Sequence, residues 1–142
     1  MIEDIRPRTP SGYPPKAVVG RPLPVSADVF RDGHDIIAAR VRWRSVEDGR
    51  KWLTVAMTAV GNDRFEAAIE PASLGPHEFV IEGWTDWVAT WRHAVTVKLE
   101  AGQSVEVELE EGARLLEAAA ARVAKPDRER VLAAVRCLRD EA

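Results

Sequence analysis

Alternation of apolar and polar residues runs through the chain up to about residue 103. In Glu78–Asp86, Phe79, Ile81, Gly83 and Thr85 share one parity while Glu78, Glu82, Trp84 and Asp86 share the other, as in a strand with one dry face. The pattern recurs in Trp91, His93, Val95, Val97 and Leu99 against Arg92, Thr96, Lys98 and Glu100. It predicts a second strand, joined to the first by a short hairpin-like link at Trp87-Val88-Ala89-Thr90. Upstream, Val25, Ala27 and Val29 alternate with Ser26 and Asp28, and Arg31-Asp32-Gly33-His34-Asp35 reads as a turn. The clearest strand is Ile36–Ser45, where Ile37, Ala39, Val41 and Trp43 face inward and Arg40, Arg42 and Arg44 form a ladder on the other face. A loop at Glu47-Asp48-Gly49-Arg50 follows.

Gly61-Asn62-Asp63 separates KWLTVAMTAV from RFEAAIE, which predicts a hairpin; Phe65, Ala67 and Ile69 are the inner set of its second arm. In the first arm either Leu53, Val55 and Met57 or Trp52, Thr54 and Ala56 point inward. Six of the nine prolines fall in residues 1–24, which forbids helix there and leaves Lys16–Gly20 as a short edge strand. About seven short strands in roughly 100 residues fit a mainly β fold, an antiparallel β-sandwich over residues 1–103.

After Ala101-Gly102 the period changes. Leu109, Ala113, Leu116, Ala120 and Val123 recur every three or four residues, which predicts a helix capped at Gln103 or Ser104, although Val105, Val107 and Leu109 also fit a last strand. Lys125-Pro126-Asp127 ends that helix and opens another, whose stripe is Val131, Ala134, Val135 and Leu138, flanked by Arg128, Arg130, Arg136 and Arg139. Residues 104–142 are therefore expected to form an α-helical hairpin, whose apolar stripe needs a further surface to cover it.

Charge and chemistry narrow the function by exclusion. With 20 basic and 23 acidic side chains the formal charge is -3, shared between both halves, so no nucleic-acid partner is expected. The N-terminus carries no apolar core segment, so neither a signal peptide nor a membrane anchor is expected, and the single cysteine, Cys137, suits the cytoplasm. The sequence has no G-x-S-x-G, no glycine-rich phosphate loop and no H-E-x-x-H, and His34, His77 and His93 stand far apart. No catalytic residue, metal or cofactor is expected. The arginine ladder can bind an anion or form a solvated or docking face, and the second reading is preferred. Trp84 and Trp87, three residues apart, are candidate sugar-stacking groups, weighed against packing on a neighbour.

Tyr13–Gly20 (YPPKAVVG), Ala27–Asp35 (ADVFRDGHD), Gly61–Phe65 (GNDRF), Ala89–His93 (ATWRH) and Leu99–Gln103 (LEAGQ) resemble, in order, the N-terminal region of the bacterial α-1,4-glucan:maltose-1-phosphate maltosyltransferases, the GlgE family. The resemblance runs from about Ile5 to Ala121. It implies an immunoglobulin-like sandwich and the start of a helical insertion, placed before a catalytic (β/α)8 barrel and contributing to a homodimer. The complete enzymes transfer maltosyl units from maltose 1-phosphate to α-glucans using residues of the barrel; this chain ends at Ala142 before any barrel, so no catalytic residue is carried over. The expected role is a non-catalytic N-terminal domain that docks on the barrel of its parent chain and assembles dimers. Arg40, Arg42, Arg44, Leu116, Val131, Val135 and Leu138 are the candidate interface residues. The rival expectation is a self-standing α-glucan-binding module using Trp84 and Trp87.

Overall fold

The computed structural model describes residues 1–47 and 51–140, so Asp48, Gly49 and Arg50 of the expected loop lie outside the described residues. The chain divides into two compact units, Met1–Thr85 and Asp86–Ala142.

Among the described residues the first unit has seven strands, β1 (Ile2–Arg6), β2 (Leu23–Val29), β3 (Ile37–Ser45), β4 (Leu53–Ala56), β5 (Thr58–Gly61), β6 (Arg64–Ile69) and β7 (His77–Thr85). They form two antiparallel sheets, ordered β1-β2-β6-β5 and β4-β3-β7. The alternation read from the sequence decides what lies between the sheets. Val25, Ala27 and Val29 of β2 and Phe65 and Ile69 of β6 meet Ala39 and Val41 of β3 and Ile81 of β7 in one core. Val25 and Val41 are wholly buried, each worth roughly 1.5–3 kcal/mol relative to exposure.

Met57 resolves the open register. Its backbone N–H donates to Ala39 O at 2.9 Å, as if to extend β4 beside β3, but the next residues leave for the other sheet as β5. Val55 and Met57 thus take the inner parity. The expected hairpin closes at Asn62 and Asp63, both at positive φ (49° and 58°), the backbone of a two-residue turn between twisted strands.

Two expected strands are absent and one unexpected strand is present. Lys16–Gly20 is not a strand: Pro14, Pro15, Pro22 and Pro24 around it cannot donate to a ladder, and Gly20 N–H donates to Pro71 O at 2.9 Å outside any ladder. In its place β1 pairs with the outer edge of β2. Arg64 pins it there, reaching Asp4 at 3.1 Å and Asp28 at 2.8 Å.

The larger correction concerns Trp87–Glu100, which forms a helix, α1, where a link and a strand were expected. Asp86 caps it by accepting the Ala89 N–H at 2.9 Å. Trp91, Val95 and Lys98, spaced four and three apart, turn inward, whereas Val97 and Leu99, inner by the strand parity, are exposed. Gly102 ends the helix at φ 67°: its N–H donates to Leu99 O and that of Gln103 to Lys98 O, the paired bonds of a left-handed stop.

Two more helices complete the second unit, α2 (Glu106–Ala120) and α3 (Lys125–Asp140). Residues 106–109 are helical, and the N-cap is Val105, with no side-chain cap bond, in place of Gln103 or Ser104. Arg128 at the start of α3 donates to the Ala120 carbonyl at the end of α2, and Arg139 near the end of α3 reaches Glu117 and Glu110, so the two helices run antiparallel. Ala134 faces solvent, but Val131, Val135 and Leu138 keep the predicted stripe. The surface the hairpin needs is supplied in part by α1. Trp91 Nε1 donates to Glu108 O, Lys98 pairs with Glu108, and the indole packs against Gly112.

That contact generates a test. A Cβ at Gly112 would stand 2.1 Å from Trp91 Cζ2. Replacing a mid-helix glycine with alanine gains about 1 kcal/mol of helix propensity, but overpacking costs about 1–3 kcal/mol. Gly112→Ala is expected to lower stability slightly and Gly112→Val by about 2 kcal/mol or more in urea denaturation. A gain in stability for both would show that Trp91 does not rest there.

Candidate functional site

The outer face of the β4-β3-β7 sheet holds the chain's densest set of interacting polar and aromatic groups among the described residues. Because β3 is the central strand, its outward residues have neighbours on both sides: Arg40 stands opposite Glu82 and Ala56, Arg42 opposite Val80 and Thr54, and Arg44 opposite Glu78. Arg40 and Arg42 share Glu82, the second at 3.0 Å, and Arg44 bonds Glu78. The guanidinium carbons also lie over indoles: Arg40 is 5.5 Å from the Trp84 ring centre, and Arg42 and Arg44 are 5.0 Å and 4.6 Å from that of Trp52.

Three cations and two anions thus interlock on a plane with two tryptophans. Hydrogen bonds from Arg40 first, and then Arg42, hold the Glu82 carboxyl below the usual glutamate range. An incoming anion would meet Glu82 and Glu78 as well as the arginines, so the ladder is poorly built for phosphate. Its value is order: long side chains that would otherwise sample many rotamers are braced against rings and partners.

The sequence-predicted residues distribute unevenly over this geometry. Arg40, Arg42, Arg44 and Trp84 meet on the one face, and Trp84 is 45% exposed with the Arg40 guanidinium over its ring. Trp87 belongs to the helical unit, in the first turn of α1, and is also exposed. Leu116, Val131 and Leu138 are half-buried and Val135 is buried, so these four belong mainly to the interior of the helical unit. His34 lies in the β2–β3 loop, His77 opens β7 and His93 is on α1. Among the described residues no group of three or more His, Cys, Asp or Glu side chains is placed to hold a metal ion, and no helix is long and apolar enough to cross a membrane.

Trp52, Glu78 and Glu82 escaped the sequence reading as partners of the ladder. The signal was present in part: β7 carries Glu78 and Glu82 on its polar parity, and an antiparallel neighbour of β3 would place them against the arginines. A second feature went unread. Pro14, Pro15, Val19, Leu23, Leu74 and Phe79 line a mostly apolar cleft of about 260 Å³ at one end of the sheets, with Leu74 84% exposed.

Comparison with known proteins gives this geometry its context. A family model described as "Alpha-1,4-glucan:maltose-1-phosphate maltosyltransferase, domain N/S" matches residues 1–142. The chain is similar to alpha-1,4-glucan:maltose-1-phosphate maltosyltransferase 1 of Streptomyces coelicolor, 44% identical over 99% of this chain and 21% of that protein. It is likewise similar to the maltosyltransferases of Myxococcus xanthus, 42% identical over 96% of this chain and 22% of the relative, and Corynebacterium glutamicum, 42% identical over 89% and 20%. The chain spans about a fifth of the length of these relatives.

The lattice on β3 predicts a pH response. A carboxyl whose folded pKa is depressed stabilises the fold above its unfolded pKa, and that contribution is lost as pH falls through the lower folded value. The Glu82 carboxyl carbon, followed by NMR, should titrate below the ordinary value of about 4.3, and the midpoint should rise in Arg40→Ala and further in Arg40→Ala/Arg42→Ala. An ordinary midpoint that ignores both substitutions would contradict the lattice.

Proposed function

This chain belongs to the alpha-1,4-glucan:maltose-1-phosphate maltosyltransferase domain N/S family, and from that premise we propose that it is the non-catalytic N-terminal part of such an enzyme. The parent transfers maltosyl units from maltose 1-phosphate to α-1,4-glucan in the bacterial cytoplasm, and this part, an immunoglobulin-like sandwich followed by helices, serves assembly. The observation that carries the reading is the family match over residues 1–142, a stretch equal to only a fifth of each relative. The remaining length of such a protein has room for a catalytic barrel, on which this part docks.

The exposed apolar side chains support the assembly role. In the helical unit Val97 and Leu99 near the end of α1 are 49% and 57% exposed, and Val107 at the start of α2 is 77% exposed. Exposed apolar side chains on both helices that flank one turn are more than a lone surface leucine, and exposed apolar surface of this kind marks contact surfaces. The helical unit therefore forms the dimer contact around this turn, with Leu116, Val131, Val135 and Leu138 as the packing behind it. The arginine face of the sheet unit is polar and self-compensated, which suits contact with the rest of the parent chain at its rim more than self-association.

Two measurements test the reading. In sedimentation equilibrium the chain is expected to dimerise with rising concentration, and Val97→Asp/Leu99→Asp to remain monomeric with an unchanged melting temperature. A chain monomeric at every concentration would remove the assembly role. With maltose 1-phosphate and α-1,4-glucan the chain should release no phosphate above the blank, and a protein-dependent rate would overturn the non-catalytic assignment.

A further inference from the structure

We propose that Trp84, with Arg40 and Glu82, forms a saccharide subsite on the sheet unit, where one pyranose ring of an α-1,4-glucan stacks on the indole. The class of glycan rests on the function proposed above; the site itself rests on geometry. Arg40, Glu82, Gly83 and Trp84 line a shallow, open concavity of about 460 Å³. A second hollow of about 180 Å³ is lined by Phe30, Arg31 and Ile37 together with Trp84. Trp84 therefore lines both hollows, on a strand that is the edge of its sheet.

The three side chains differ in what they offer. The indole presents an apolar plane and a single N–H donor. The Arg40 guanidinium stands over one face of that ring, 5.5 Å from its centre, and is bonded to the Glu82 carboxylate, which fixes one donor group and one acceptor group there and leaves the opposite face of the indole for the sugar. A pyranose ring has the matching character: an apolar face of C–H groups, rimmed by hydroxyls that both donate and accept. Other occupants fit less well. A phosphate would be repelled by Glu82, whose carboxyl is shared by two arginines and so stays ionised at neutral pH. A single-stranded nucleic acid would face both that carboxylate and a chain of net charge -3. An apolar protein segment would have to cover a bonded ion pair.

The subsite is tested by titrating the isotopically labelled chain with maltoheptaose and following backbone amide and indole N–H signals. Saturable shifts at the Trp84 indole and the Gly83 amide are expected, with millimolar affinity. In calorimetry Trp84→Ala should weaken binding about tenfold or more, a loss that takes affinity out of the measurable range. Glu82→Gln should weaken it severalfold, with the protein still folded at the temperature of the measurement. No saturable shift, shifts centred on residues away from Trp84, or undiminished binding by Trp84→Ala would overturn the subsite. Sedimentation on the same samples separates the two proposals. A chain that dimerises but shows no shift refutes the subsite alone, and one that binds maltoheptaose yet stays monomeric refutes the assembly role alone.

Discussion

The placement of β3 between β4 and β7 is the constraint on which the sheet unit depends. Because side chains alternate strictly along a strand, the register that buries Ala39 and Val41 also lays Arg40, Arg42 and Arg44 in a row outside. The neighbours then decide what that row becomes. β7 brings Glu78 and Glu82 opposite the arginines and Trp84 beyond them, and the approach to β4 brings Trp52. A slip of one residue would bury three guanidiniums and expose the core, a penalty no surface pairing could offset. Core and candidate site are thus two faces of one pairing.

The two units are organised by different physics. In the first, the inner faces of two sheets supply the core, and the irregular stretches, from the proline-rich segment to the β4–β5 crossing at Met57, follow from satisfying both sheets with one chain. In the second, small residues allow close approach: Gly112 and Ala113 are buried on α2, and the Trp91 indole occupies the space a side chain at 112 would take. Charged side chains then fasten the helix ends, as Arg139 does with Glu110 and Glu117, and Arg128 with the last carbonyls of α2.

Much of this was legible in the sequence where one period stood alone. The strands at Val25, Val41, Phe65 and Ile81 and the turn at Asn62-Asp63 were read correctly because alternation and turn chemistry agreed. Trp87–Glu100 was misread because Trp91 and Val95 satisfy both a period of two and a spacing of four. The deciding signs were local. Trp87-Val88-Ala89-Thr90 has no glycine, proline or asparagine with which to turn a hairpin, Asp86 stands where a helix cap belongs, and Gly102 where a helix stop belongs. The edge strand β1 was not legible, since its pairing with β2 and its bond from Arg64, some sixty residues away, join distant parts of the chain. For the same reason the arginine ladder was visible, but its acidic partners were not: cross-strand neighbours are set by sheet order, which one strand's sequence does not contain.

The central proposal is that the exposed apolar surface of this chain is covered in a full-length maltosyltransferase. Hydroxyl-radical footprinting tests it most directly, comparing the chain alone with the same sequence as the N-terminal part of a full-length maltosyltransferase. The account predicts strong labelling of Leu99 and Val107 in the isolated chain at low concentration and clear protection of both in the full-length protein. Equal labelling in the two would mean that the surface stays bare in the assembled enzyme, and would contradict the account.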